Sequence, residues 1–462
     1  MKMESSLLRR LRQRHFSGRG MNPTRIVASS FGCIILLGSL LLTLPLASRD
    51  GQSAGFFTAL FTATSATCVT GLVLADTWLQ WSLFGQGVIL VMIQLGGLGF
   101  MTVITMVSLA LHRRIGLSER LIMVSTFNLN DLDGVVRVVR RALVGTFFLE
   151  GTGAALLAAR FIPRFGFARG LWRGIFHAVS AFCNAGFDLL GGAYGPFSSL
   201  TGVRDDPVVL LTTAVLVVVG GLGFFVWEDM VRARCWRRLS LYSKLVLAMT
   251  AALLTLGTVF TLIAEYHNPA TLGPMPLWEK LLNALFQSVT LRTAGFDSLG
   301  QGGLRESTRA LSVVLMLIGG SSGSTAGGIK TVTLAVLLLA FRSGLTGREQ
   351  VTVRGRAVSY QRVLNAMTLT LVVVGLFCAG SIALSALEGL PYLDCAFEVA
   401  SALGTVGLTA GITPGLSRAS QWLLILFMYL GRVGVLSFSI AFLTRKRKAA
   451  RIRYPDMDLM IG

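Results

Sequence analysis

A chain of 462 residues with 53% hydrophobic and only 14% charged side chains is too apolar for an ordinary soluble enzyme and reads as an integral membrane protein. Its formal charge of +20 would suit nucleic acid, but the charges stand in the connections between apolar stretches, which excludes that partner and points to orientation in a bilayer. Six dispersed cysteines without a C-x-x-C pair and four dispersed histidines exclude a disulfide framework and a metal-ligand spacing.

From the N-terminus, Arg9, Arg10, Arg12, Arg14, Arg19 and Arg25 precede the first apolar stretch. That stretch lacks a small-residue cleavage site, so a retained helix is expected. Stretches of about 20 apolar residues, the length a bilayer core requires, follow at 26–46, 82–111, 142–162, 208–227, 243–265, 311–341, 365–386 and 421–443. Arg113, Arg114 and Arg120 follow the second, Arg232, Arg234, Arg237 and Arg238 the fourth, and Arg342, Arg348 and Arg354 the sixth. Arg445 and Lys446 begin a basic run after the eighth. Basic connections lie on the cytoplasmic side, so both termini are expected there, in a multi-pass protein of the cytoplasmic (inner) membrane. Arg160, Arg164, Arg169 and Arg173 are the main exception.

Each odd-numbered connection holds a half-length apolar segment that ends in glycine. The four read "FTATSATCVTG" to Gly71, "FHAVSAFCNAG" to Gly186, "LFQSVTLRTAG" to Gly295 and "FEVASALGTVG" to Gly407. A large apolar residue follows each: Leu72, Phe187, Phe296 or Leu408. One such glycine alone is equally a packing contact or a surface turn. Four in one register predict an all-α membrane protein of eight transmembrane helices and four re-entrant pore half-helices, in pseudo-fourfold repeats around one pore. The expected units are a tail 1–25, repeats at 26–111, 142–230, 243–341 and 361–443, and a tail 444–462, with the third inner helix broken at 318–330.

Non-helical backbone is tolerated inside a membrane only where it is buried in protein or lines a watery path, and rings of carbonyl oxygens can replace the hydration shell of an alkali cation. The candidate filter therefore comprises Thr67, Cys68, Val69, Thr70 and Gly71; Phe182, Cys183, Asn184, Ala185 and Gly186; Leu291, Arg292, Thr293, Ala294 and Gly295; and Leu403, Gly404, Thr405, Val406 and Gly407. The half-helices would aim their partly negative C-terminal ends at the pore centre. Asp188 and Asp297, two residues past their glycines, either concentrate cations at the outer mouth or cap a loop.

Arg292 stands where the other repeats have Cys68, Cys183 and Gly404. A charge aimed into the filter would oppose a cation, so its side chain is expected behind the filter, on a carboxylate or carbonyl. Arg432, mid-membrane in "YLGRVGV", is expected to face an interior path, the alternative being a buried salt bridge with Glu150. Glu398 is expected to accept a hydrogen bond from a neighbouring filter strand.

The stretch "LIGGSSGSTAGGIKTVT" at 317–333 resembles a phosphate cradle, but Ile329 separates Gly328 from Lys330, and both flanks are apolar spans. A linker would not interrupt a single crossing. What remains is a break in the third inner helix: Gly319, Gly320, Ser321, Ser322, Gly323, Ser324, Thr325, Ala326, Gly327 and Gly328 form a candidate gate, with Lys330 and Arg432 as charged neighbours. Lys330 is either part of a latch or a snorkelling anchor. A membrane enzyme is disfavoured, since no histidines, cysteines or carboxylates share a recognisable constellation.

"SATCVTGL", "SAFCNAGFD", "RTAGFDS", "SALGTVGLT", "IGGSSGSTAGGIKT" and "GRVGVLSF" together resemble the Trk/Ktr/HKT superfamily of potassium transporters, most closely its KtrB-type membrane subunits, over residues 24 to 462. No additional helix pair precedes the first span, which favours the KtrB type. The resemblance implies potassium uptake by a homodimer with one pore per protomer. Selectivity would be set by Gly71, Gly186, Gly295 and Gly407, with potassium at the carbonyls of Val69, Thr70, Asn184, Ala185, Thr293, Ala294, Thr405 and Val406. It also implies a cytoplasmic nucleotide-binding ring of KtrA type, sodium as an activator, and Arg432 just below the filter as a barrier or latch. No cofactor is expected in this chain itself. Relatives with serine at the first glycine tend to favour sodium, so Gly71 favours potassium; a sodium-conducting or poorly selective transporter of the superfamily is the alternative. The tail "RKRKAARIRYPDMDLMIG" is expected to touch anionic membrane lipid and, by the resemblance, the partner protomer.

Overall fold

The computed structural model describes residues 23–99, 135–348 and 350–434. Residues 1–22 of the expected N-terminal tail, the C-terminal tail, residues 100–111 of the second span and 435–443 of the eighth lie outside the described residues. Helix dominates, and one order recurs. Units run α1 (Pro23–Thr43), α2 (Phe56–Cys68) and α3 (Leu83–Leu98); then α4 (Val135–Phe165), α5 (Phe167–Phe182) and α6 (Pro207–Leu222), followed by α7 (Phe224–Ala233). The third unit is α8 (Leu241–Glu265), α9 (Leu277–Thr290) and α10 (Glu306–Leu317), with α11 (Thr331–Leu345) after it. The fourth is α12 (Tyr360–Glu388), α13 (Tyr392–Gly404) and α14 (Arg418–Val433). A two-stranded ribbon, β1 (Thr352–Val353) paired antiparallel with β2 (Arg356–Ala357), joins α11 to α12.

Among the described residues, Arg140–Phe165, Leu241–Glu265 and Tyr360–Glu388 are each long and apolar enough to cross a bilayer. The expected fourth span is not one rod. It breaks at Gly223, and α6 and α7 meet at 95°. Gly223 has φ +84°, a conformation in which a side chain is strained, so the helix stops there. The sequence reading missed this break because α6 is apolar to its last residue.

In every unit the end of the first helix is tied to the start of the third. Ser82 caps α3 and donates to the Leu46 carbonyl at 2.6 Å. Asp206 caps α6 and bonds Arg160 and Arg164, each at 2.9 Å. Glu265 accepts the Arg305 N–H (2.9 Å) where α10 begins. Glu388 accepts from the Ser417 N–H (3.0 Å) where α14 begins. The Glu265 and Glu388 ties themselves satisfy a backbone donor at a helix N-terminus, and Ser82 and Asp206 separately cap theirs through Gly85 and Val208 N–H. The second helices then pack inward: Gly170 and Gly174 let α5 lie against the α4 backbone, where an added Cβ would sit 2.5 Å from Ile162 Cα and 2.8 Å from Ala158 N. Apolar side chains close the core around them, with Phe61, Phe176, Phe182, Phe286 and Phe397 buried.

Candidate functional site

The second helices end within a few residues of the four glycines and bring them into a ring. A Cβ built on Gly71 would lie 2.6 Å from the Ala185 carbonyl oxygen, and one on Gly186 would lie 2.9 Å from that of Ala294. One on Gly295 would strike the Val406 oxygen, and one on Gly407 the Thr70 oxygen. Each glycine thus abuts the residue preceding the next glycine, and the order 71, 186, 295, 407 closes on itself. No side chain has room at these four places. All four glycines also have positive φ, between +71° and +97°.

Two residues earlier in each stretch, Val69, Asn184, Thr293 and Thr405 have φ of +54° to +65°. Left-handed backbone is rare for β-branched residues and marks a conformation imposed by its surroundings. Left-handed residues interleaved with ordinary ones turn successive carbonyls toward one side, whereas an extended strand would alternate them. In three stretches the left-handed residue belongs to a Schellman-type helix end. Thr70 N–H bonds the Ser65 carbonyl, Ala185 N–H that of Ser180 and Val406 N–H that of Ser401, each at 2.8 Å. The third stretch, which contains Arg292, departs: Ala294 N–H bonds the Thr290 carbonyl at 3.0 Å.

Hydroxyls hold the turns in two ways. Ser65 Oγ and Ser401 Oγ accept the Gly71 and Gly407 N–H groups at 3.0 Å. Ser180 Oγ and Thr290 Oγ1 donate instead to the carbonyls of Phe187 (2.7 Å) and Phe296 (2.6 Å). Opposite repeats one and three therefore differ, while one resembles four and two resembles three. The segments beyond the glycines are pinned as well. His177 Nε2 accepts the Leu189 N–H at 3.2 Å, and Glu398, nine residues before Gly407 as His177 is before Gly186, accepts from Thr409 Oγ1 (2.6 Å), Ala410 N–H (2.9 Å) and Thr413 Oγ1 (2.6 Å). Glu398 thus holds the continuation of its own stretch, not a neighbouring one. Asp188 accepts the Leu190 N–H at 2.9 Å, and Asp297 accepts N–H groups of Leu299, Gly300 and Gln301, so both carboxylates organise local turns.

Residues 319–330 pack against the ring on the side away from Phe187 and Leu408. The loop is pinched at its neck, where Gly319 N–H bonds the Ile329 carbonyl and Ile329 N–H bonds that of Leu317, both at 2.9 Å. Thr325 Oγ1 donates to the Phe182 carbonyl at 3.3 Å, and a Cβ on Gly327 would strike Thr405 Oγ1. The break in α6 leaves carbonyls without helical donors, and the loop supplies them: Ser321 N–H bonds the Gly221 oxygen (3.0 Å), Thr325 N–H that of Gly220 (3.3 Å), and Ser321 Oγ that of Leu222.

The charged neighbours fold onto the same loop. Arg432 donates to the carbonyls of Thr325, Gly96 and Gly97, the last at 3.1 Å. It does not pair with Glu150, whose two oxygens receive Gln94 Nε2 at 3.0 and 3.2 Å. Lys330 Nζ turns back to the Ala326 carbonyl at 2.6 Å, inside the loop itself. Arg292 donates to the Gly319 carbonyl at 3.1 Å.

One feature that the sequence reading missed was present as a repeated pentapeptide. "GGLGF" occurs at 96–100 and 220–224, and "GRVGV" stands at 431–435. The first glycine of each lets its helix touch the back of a ring stretch at the same place: Cβ atoms on Gly96, Gly220 and Gly431 would strike the carbonyls of Thr67, Phe182 and Leu403. The glycine in the fourth position, Gly99, Gly223 or Gly434, ends the helix with φ of +80°, +84° or +87°. Arg432 occupies the register held by Gly97 and Gly221, which puts its guanidinium at the level of the loop.

Comparison with known proteins agrees with this architecture. A family model described as TrkH, cation transport protein, matches residues 3–451. The chain is 40% identical to the potassium/sodium uptake protein NtpJ of Enterococcus hirae, covering 96% of this chain and 98% of that one. It is 38% identical to the Ktr system potassium uptake protein B of Bacillus subtilis, covering 95% and 97%. The crystal structure of the potassium transporter TrkH from Vibrio parahaemolyticus superposes with a TM-score of 0.72 at 17% identity, covering 92% of this chain and 85% of that one, and so shares the fold. The chain belongs to the TrkH family of cation transport proteins, a family of membrane transporters and not of enzymes.

Proposed function

We propose that this chain takes up potassium across the cytoplasmic membrane through the ring of four glycines, with both termini in the cytoplasm. The observation that carries the reading is the closed cycle of contacts from Gly71 through Gly186, Gly295 and Gly407. In this reading the carbonyls of Val69, Thr70, Asn184, Ala185, Thr293, Ala294, Thr405 and Val406 replace the hydration shell of the ion. The negative ends of α2, α5, α9 and α13 converge on the ring and favour a cation there. Glycine is required because any side chain would push the neighbouring carbonyl out of place.

Residues 319–330 act as the gate. They lie against three ring stretches, at Phe182, Arg292 and Thr405, and Arg432 holds the loop to α3. The chain works as a homodimer on a cytoplasmic regulatory ring of KtrA type that binds nucleotide, and sodium acts as an activator. Relatives named as Ktr system and potassium/sodium uptake proteins support this reading. The test is expression in cells lacking potassium uptake, with rubidium and sodium influx measured at low potassium, with and without sodium and the regulatory subunit. Rubidium influx well above sodium influx is expected. Absence of influx from protein that reaches the membrane with its partner would sink the proposal, and sodium influx equal to that of rubidium would favour a poorly selective transporter.

A further inference from the structure

α7 leaves α6 through a 95° bend at Gly223. With α6 crossing the bilayer, α7 lies along its surface. Near its end and in the turn to α8, Met230, Val231 and Trp236 are 43, 78 and 52% exposed. Arg232, Arg234, Arg237 and Arg238 are exposed beside them. The nearby carboxylates are already engaged: Glu228 pairs with Arg141 at 3.2 Å, and Asp229 accepts the Ser240 N–H at 2.9 Å. Among the described residues none of these four guanidiniums lies within ion-pair distance of a carboxylate, and of the four only Arg232 acts through its charge on the neighbouring Asp229. Aromatic and apolar side chains interleaved with unpaired arginines, on a helix in the plane of the interface, match an anionic phospholipid headgroup with its upper acyl chain. An acidic soluble protein would satisfy the arginines but gives no reason for exposing Val231 and Trp236 so fully.

The same corner grips the tip of the loop from both ends. Phe224 N–H donates to the Gly323 carbonyl at 3.2 Å, and Tyr242 Oη, in the first turn of α8, donates to the Ser322 carbonyl at 3.4 Å. A Cβ on Gly223 would lie 2.9 Å from Ser321 Oγ, so the bend itself is seated on the loop.

We propose that the corner formed by α7 and the start of α8 binds anionic phospholipid headgroups of the cytoplasmic leaflet, and that this holds the loop at 319–330 in its closed position. The proposal rests on the reading of that loop as the gate. Headgroups that fix Arg232, Arg234, Arg237 and Arg238 at the interface keep Phe224 and Tyr242 against Ser322 and Gly323. Tyr242 is a positioning residue, since it acts on the ion path only through the loop.

The test uses the full chain in vesicles of phosphatidylcholine alone or mixed with phosphatidylglycerol. Basal rubidium uptake is expected to be about fivefold or more lower in the mixed vesicles, the scale of an ordinary coupling between two sites. Simple enrichment of cations at a charged surface would act in the opposite direction. Changing Arg232, Arg234, Arg237 and Arg238 together to Gln should abolish the lipid response and reduce the phosphatidylglycerol that co-purifies, as read by mass spectrometry. Tyr242→Phe should keep the lipid bound and weaken the flux response. Equal flux in both vesicle types, or a four-Gln variant that responds as the parent does, overturns the proposal. So does a response to an acidic protein partner in place of the lipid. Absence of flux in every vesicle, with the regulatory subunit added as well as without it, sinks the conduction reading and the coupling with it; the lipid site is then judged by binding alone, and equal phosphatidylglycerol on parent and variant rejects it.

Discussion

Gly71 shows what a single residue contributes. Its φ of +97° and the Ala185 oxygen 2.6 Å from the place of a Cβ leave no room for serine. Gly71→Ser imposes roughly 1–2 kcal/mol of backbone strain, and the displaced carbonyl is expected to reduce the preference for potassium over sodium by about tenfold. Unchanged flux ratios would place Gly71 outside the filter. The glycines were legible in the sequence because four of them share one register. The left-handed residues two positions earlier were not, since Val69, Thr293 and Thr405 are types that prefer extended backbone, and only the packed ring forces them over. Arg432 was legible as a costly mid-membrane charge, but its partners were not, because three backbone carbonyls leave no trace in composition. Arg432→Ala removes donors from the carbonyls of Thr325, Gly96 and Gly97 and is expected to raise basal rubidium flux severalfold, each hydrogen bond to a charged group being worth about 1.5–3 kcal/mol. A variant that folds and conducts less than the parent would contradict the latch.

At the scale of elements, helix breaks organise the site. The interruption between α10 and α11 could be read from ten small residues in a row, whereas the one between α6 and α7 turns on a single glycine inside an apolar run. The two breaks are one device: carbonyls released at Gly220, Gly221 and Leu222 are satisfied by Ser321 and Thr325 of the loop. Gly223→Ala strains a residue at φ +84° and crowds Ser321 Oγ at 2.9 Å. It is expected to loosen the loop and raise basal flux, and in detergent to lower thermal stability by about 1–2 kcal/mol, the strain of left-handed backbone in a residue with a Cβ. Shortening the 319–328 segment should raise flux further, measured in the same vesicles; loss of flux from a protein that remains folded would contradict a gating role.

For the whole molecule, the positive-inside pattern gave the expected orientation in spite of Arg160, Arg164, Arg169 and Arg173. Three of these have local employment. Arg160 and Arg164 flank Asp206, and the Arg173 guanidinium lies over the rings of Trp78 (4.3 Å) and Phe165 (3.9 Å) and donates to the Leu189 carbonyl (3.1 Å). Such arginines build the fold and carry little information about orientation. Charge counts cannot separate them from arginines that face a leaflet, which is why the sequence left them as an exception. The proposed homodimer and regulatory ring likewise rest on resemblance, since the composition of one chain does not say which of its apolar surfaces meet lipid and which meet protein. A dehydrated cation inside the ring is best sought in a crystal structure of the protein grown in rubidium, read by anomalous scattering. Rubidium peaks are expected on the ring axis beside the carbonyls of Thr70, Ala185, Ala294 and Val406; ordered rubidium elsewhere, with none on that axis in a protein that conducts it, would rule out passage through the ring.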